Sequence, residues 1–174
     1  MCAGSGGGYS MSMGSNVDDF AHEARLAGHL VELLGNREMG ALSAELSPLV
    51  RAPGPERARR SLYGGVLTWL VTAIADVITA RLGYPENGEA FVLEVHTTRG
   101  RHLGLDEVPA SASRILRSVM ALLAGDRVGA RVQLDAAQSE PSPLVRAETL
   151  VDALVWLNVL LDVNLSAFPD RPPE

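Results

Sequence analysis

Between Pro143 and Ser166 the chain places apolar residues around almost the whole circumference of a 3.6-residue helix, through Thr149-Leu-Val-Asp-Ala-Leu-Val-Trp-Leu-Asn-Val-Leu-Leu-Asp-Val-Asn-Leu165. A helix without a broad polar face must be covered on most sides, so the segment predicts a bundle with itself as the hub. The core material is Leu, Val and Ala, because a hydrophobic share of 47% comes with an aromatic share of only 5%. That mixture favours helix-on-helix packing over a sheet sandwich. A chain of 174 residues suits one domain and can bury roughly two thirds of its unfolded surface.

The remaining segments fit this plan. Phe20, Ala24, Ala27, Leu30, Val31 and Leu34 recur at helical spacing after Asn16, a good N-cap, and the pattern stops at Gly35-Asn36. A shorter helix, about Arg37 to Leu46, is expected to end before Ser47-Pro48, since the residue preceding proline is pushed out of helical space. After the break Pro53-Gly54-Pro55, a long helix runs from Pro55 to Leu82 and closes on Gly83. Its apolar face opposes a polar line of Thr68, Thr72, Asp76 and Thr79, and Gly64-Gly65 weakens it unless something packs closely there. The period then changes to two. Phe91, Leu93 and Val95 alternate with Val92, Glu94 and His96, and Leu103 and Leu105 follow beyond Thr98-Arg99-Gly100. This predicts a hairpin with Gly100 left-handed, Val95 facing Leu103 and Leu93 facing Leu105. Two more helices, from Pro109 and from Asp126, precede the hub, with Ser142-Pro143 as its N-cap and first residue. The expected fold is therefore mostly α: two similar helical units around a shared core, with one β-hairpin (about 90–105) on the flank. Residues 1–15 form a Gly/Ser-rich leader expected to be disordered, 16–168 the helical domain and 169–174 a tail. Met11 and Met13 are alternative starts to Met1.

The two units rest on a repeated hexapeptide, Ser-Pro-Leu-Val-Arg-Ala, at residues 47–52 and 142–147. Leu-Leu-Gly-Asn-Arg (33–37) and Leu-Ala-Gly-Asp-Arg (123–127) precede the copies, and helices centred on Trp69 and Trp156 follow them. Duplication would bring the two tryptophans together in one core. Gly125-Asp126, Ala130, Leu134 and Ala137, followed by Pro141 or Pro143, resemble half of a tetratricopeptide-type hairpin. The resemblance implies a helical hairpin there. It does not imply a solenoid, which needs at least three units where this chain offers two.

A net charge of −6 argues against general affinity for nucleic acid or anionic membrane. Neither apolar run, Val66 to Ala75 or Leu150 to Leu161, reaches the roughly 20 residues of a membrane span. Cys2, the lone cysteine, has no internal disulfide partner, and the leader lacks a basic start and an apolar core, so a cytoplasmic location is expected.

No phosphate loop, dinucleotide fingerprint, His-Glu-x-x-His, Gly-x-Ser-x-Gly or cysteine pair occurs, so the sequence leans away from an enzyme and implies no cofactor. Four constellations remain. Asp19, His22, His29 and Glu32 share a helix at spacings that can supply metal ligands, although no second helix offers a histidine. His96 and His102 become cross-strand neighbours in the hairpin, where they could form a weak metal site or a pH-sensitive patch. Arg51, Arg57, Arg59 and Arg60 could clamp an anion. Asn158 and Asp162 lie among apolar neighbours in the hub and need partners, such as an arginine from another helix, so with Trp69 and Trp156 they are expected in the structural core. The expected function is a non-enzymatic helical interaction or regulatory module that binds a protein partner or itself. A small-ligand or metal-dependent helical-bundle enzyme using His22 and His29 is the alternative, and anion or nucleic-acid binding through the arginines is a third.

Overall fold

Apolar residues at three- and four-residue spacing wind into α1 (Ser15–Gly35), α2 (Met39–Val50), α3 (Glu56–Leu82), α4 (Ala110–Leu123), α5 (Arg127–Gln138) and α6 (Pro143–Asp162). Between α3 and α4 lie β1 (Val95–His96), β2 (His102–Leu103) and a short 3-10 turn, Leu105–Glu107. The computed structural model describes residues 15–51, 56–83, 91–92, 94–96 and 99–162. Most of the leader, the stretch beyond Asp162 and Pro55 lie outside them. The fold is a mostly helical bundle with one small antiparallel hairpin.

The core is a cluster of Leu, Val and Ile with Tyr63 as its largest buried side chain. Helices α3 and α6 run through it in the same direction. Tyr63 Oη donates to Arg146 O (3.3 Å) near one end of the pair, and Arg81 Nη2 donates to Leu161 O (3.2 Å) at the other. Each of the two touches every other helix.

The expected hub is only half right. Helix α6 buries Leu150, Ala153, Leu154 and Leu157 but leaves Leu144, Val151, Val155, Val159 and Leu161 exposed. Helix α3 is covered more completely, with Val66, Leu67, Leu70, Val71, Ile74, Ala75 and Ile78 all buried. By length and mean hydropathy Leu62–Leu82 could cross a membrane, yet half of that window is buried within the bundle, as in a core helix. The Gly64-Gly65 pair fits this central position. A Cβ on Gly64 would run into the Gln138 side chain of α5, and one on Gly65 into the Glu23 side chain of α1. Side chains from two helices thus lie against the α3 backbone where it has no Cβ of its own.

Two helix boundaries differ from expectation. Helix α2 continues past Ser47-Pro48 to Val50. Proline removes one backbone donor there, but Ser47 Oγ donates to Ser43 O (2.9 Å), Arg51 N caps the helix by donating to Ser47 O (3.1 Å), and Leu49 and Val50 are buried. That burial offsets a cost of about 3 kcal/mol for proline within a helix. At the end of α1 the left-handed residue is Arg37 (φ 61°), neither Gly35 nor Asn36. Glu38 N bonds Leu33 O (2.9 Å) and Arg37 N bonds Leu34 O (3.0 Å), a Schellman closure. The same closure ends α4 at Gly125 (φ 75°), with Asp126 N to Ala121 O and Gly125 N to Leu122 O.

These details revise the duplication. Among the described residues three helices lie on each side of the hairpin in chain order, but α4 (14 residues) is hardly longer than α5 (12 residues) and the matched peptides occupy unequal places: Gly35 ends a helix that Arg37 closes, whereas Gly125 closes its own. The first hexapeptide finishes α2 and the second starts α6. Trp69 and Trp156 are both half-buried against the core and make no ring contact with each other. Phe20, expected in the buried stripe of α1, is 62% exposed.

The hairpin has the expected register, Val95 opposite Leu103 and His96 opposite His102, with Gly100 at φ 78°. Leu93, and with it the Leu93–Leu105 pairing, lies outside the described residues. Asp126 caps α5 by accepting from Gly129 N (2.8 Å), and the Ser142 hydroxyl sits 3.4 Å from Val145 N at the start of α6.

Candidate functional site

Three features stand out: a buried arginine, the outer face of α6, and a cleft between α3 and α5. Arg146 lies in the first turns of α6 and is buried. Its guanidinium donates twice to Val50 O, one bond being Nε at 3.1 Å, and through Nη1 to Glu140 O (2.9 Å). Val50 is the last residue of α2, where carbonyls lack helical partners and the helix dipole is negative, so a cation is well placed there. One side chain thereby joins the end of α2 to the α5–α6 turn. Beside it, burial pushes the Tyr63 hydroxyl up to about 12, against the pull of Thr149 and the Arg146 charge. Every buried side-chain polar atom among the described residues has a hydrogen-bond partner.

The Glu140 carboxylate accepts from Ser142 N (3.3 Å) and from Arg114 Nη1 (3.1 Å), and these bonds hold its pKa below the ordinary 4.5. A carboxylate with a lowered folded-state pKa stabilises the fold above its unfolded value and loses that contribution as pH falls through the folded value. Glu140→Gln should therefore lower the urea midpoint near neutral pH, and the difference from wild type should shrink as the pH falls below the ordinary value of 4.5. A difference that stays constant over that range would contradict this assignment.

On α6, Leu144, Val151, Val155 and Val159 follow one another at seven- and four-residue spacing and form a single stripe, 68%, 37%, 39% and 52% exposed. Glu148 and Asp162 lie within that stripe and are exposed. Asn158 is half-buried, its Nδ2 3.4 Å from Asp162 Oδ2, so the pair is intrahelical and involves no arginine from another helix.

The cleft measures about 730 Å³. One wall is the polar line of α3, Thr68, Thr72, Asp76 and Thr79; the other is α5 with Arg127, Arg131, Asp135 and Gln138. Ala75, Ala130, Leu134 and the end of α4, Leu122 and Leu123, supply its apolar surface. Asp76 and Arg127 have no opposite charge within 4 Å, and Arg131 Nε lies 3.8 Å from Asp135 Oδ2. The threonine line was visible in the sequence; its α5 counterpart was not, because nothing in the sequence says which helix α3 faces there.

Of the other sequence candidates, the histidine pair of the hairpin is brought together and the α1 group gathers no further ligand among the described residues. His22, His29 and Glu32 are exposed along α1, and the side chain of Asp19 lies outside the described ones. His96 and His102 do meet, ring centroids 5.6 Å apart edge to face, with His96 Nε2 3.2 Å from Glu94 Oε2. No group of three metal-binding side chains occurs among the described residues. Arg51 is exposed at the end of α2; Arg57, Arg59 and Arg60 fall in the first turns of α3, their side chains outside the described ones. Arg146 drew no attention as a site residue in the sequence, although it is the one cation within α6.

Fold and site together define a helical bundle, six helices among the described residues, with α6 partly uncovered and an amphiphilic cleft between α3 and α5. Comparison with family models, curated proteins and solved structures finds no match to this chain.

Proposed function

We propose that the chain is a non-catalytic helical interaction module that pairs with a second copy of itself through α6. The observation that supports this reading is the exposed stripe of Val151, Val155 and Val159, an apolar face on a helix whose opposite side is fully packed. The stripe is self-complementary. If two copies of α6 cross antiparallel about a two-fold axis level with Ala153, Val151 meets Val155 and Glu148 meets the Asn158 amide. Valine is stiff at its first torsion, so little side-chain entropy opposes the contact. A standard interface buries about 800 Å² on each side, and a single helix face offers less, so the affinity is expected on the order of micromolar.

A cross-linking experiment tests the arrangement. In a Cys2→Ser background, Val151→Cys with Val155→Cys should give a covalent dimer on oxidation. Within one helix the i,i+4 Cβ atoms are about 5–6 Å apart, too far for the roughly 3.5–4.5 Å a disulfide requires. Val128→Cys with Val132→Cys on α5, at the same spacing and more exposed than the α6 pair, serves as the control. If the α6 pair cross-links no faster than the α5 pair, the proposal fails.

A further inference from the structure

We infer that the cleft between α3 and α5 is a binding site for a small zwitterion of amino-acid type with an apolar side chain, free or as a di- or tripeptide. The inference is independent of pairing through α6. The charges in the cleft balance, with Asp76 and Asp135 against Arg127 and Arg131. A phosphate or simple carboxylate would be drawn to the arginines but repelled by Asp76 across the cleft. A ligand carrying both signs satisfies both walls: its carboxylate takes the forked guanidinium geometry of Arg131 or Arg127, and its ammonium takes Asp76. Leu122 and Leu134 offer an apolar body somewhere to lie. Asp76 and Arg127 are not engaged with any opposite charge, so binding breaks no ion pair of theirs. At about 730 Å³ the space falls within the range of small-molecule sites, about 300–1,000 Å³.

The test is thermal denaturation of the full chain with four probes at millimolar concentration: L-leucine, the dipeptide Leu-Leu, isocaproate, which lacks the amine, and isoamylamine, which lacks the acid. At tenfold excess over the dissociation constant, the site should raise Tm by about 3–6 °C. The expected result is a rise with leucine or with the dipeptide, whichever source fits, and none with either half-molecule. The rise should be lost in Asp76→Asn and in the paired substitution Arg127→Gln with Arg131→Gln, all exposed positions whose substitution leaves the core untouched. Failure of both zwitterions, an equal rise with isocaproate, or a rise surviving in both variants would overturn the inference. Dimer cross-linking through α6 is unaffected by any of these outcomes.

Discussion

Arg146→Ala should cost the protein about 3–5 kcal/mol of unfolding free energy, the largest effect expected of any polar substitution among the described residues. The loss has two parts. Val50 O and Glu140 O both lose the guanidinium's donors, at about 1–3 kcal/mol for the buried Val50 carbonyl and less for the part-buried Glu140 carbonyl. The cation at the negative end of α2 disappears as well, and the buried stem leaves a space. Arg146→Met refills that space but not the bonds, so it should recover only the packing part. Arg146→Lys keeps the charge but cannot reproduce the fork that reaches two carbonyls, and should fall between them. Urea unfolding followed by circular dichroism measures all three. A loss of under about 1 kcal/mol for Arg146→Ala would show that α2 does not depend on this anchor.

Val155→Glu should separate pairing from folding. Its side chain is partly exposed and outside the core, so the monomer should keep its stability to within about 0.5 kcal/mol. At a two-fold contact each substitution acts twice. Two carboxylates are placed against the valines of the facing helix, and each must lose water without gaining a partner. A penalty of about 3 kcal/mol or more raises the dissociation constant at least a hundredfold. Val155→Ala, which shortens the stripe but adds no charge, should weaken pairing much less.

Much of this architecture was legible because periodicity reports burial directly. The shift from a three-four spacing to alternation at Phe91 located the hairpin, and the alternation with Gly100 fixed its register to the residue. Helix ends were less legible. Pro48 is a strong local stop signal, yet the burial of Leu49 and Val50 and the anchoring of Val50 O by a residue nearly a hundred positions away override it. The expected enclosure of α6 failed for a related reason. Hydrophobicity shows that a face is apolar, not whether the same chain covers it; Val151 and Leu150 look alike in sequence, but only Leu150 is buried. The repeated hexapeptide misled in the same way, because identical residues ended one helix and began another.

Of the sites, the sequence exposed single-helix patterns and missed those made by two helices. Thr68, Thr72 and Asp76 announced a polar line on α3, but their significance depends on Arg127 and Arg131, which α5 brings opposite. His22 and His29 looked chemical because they share a face; in the bundle that face looks outward and gathers no further ligand among the described residues.

Pairing through α6 is the central claim, and sedimentation equilibrium of wild type and Val155→Glu over a concentration series measures it most directly. Wild type should pass from monomer to dimer around micromolar concentration while the variant remains monomeric with an unchanged Tm. Wild type that stays monomeric throughout, or a variant that dimerises as readily, would contradict it.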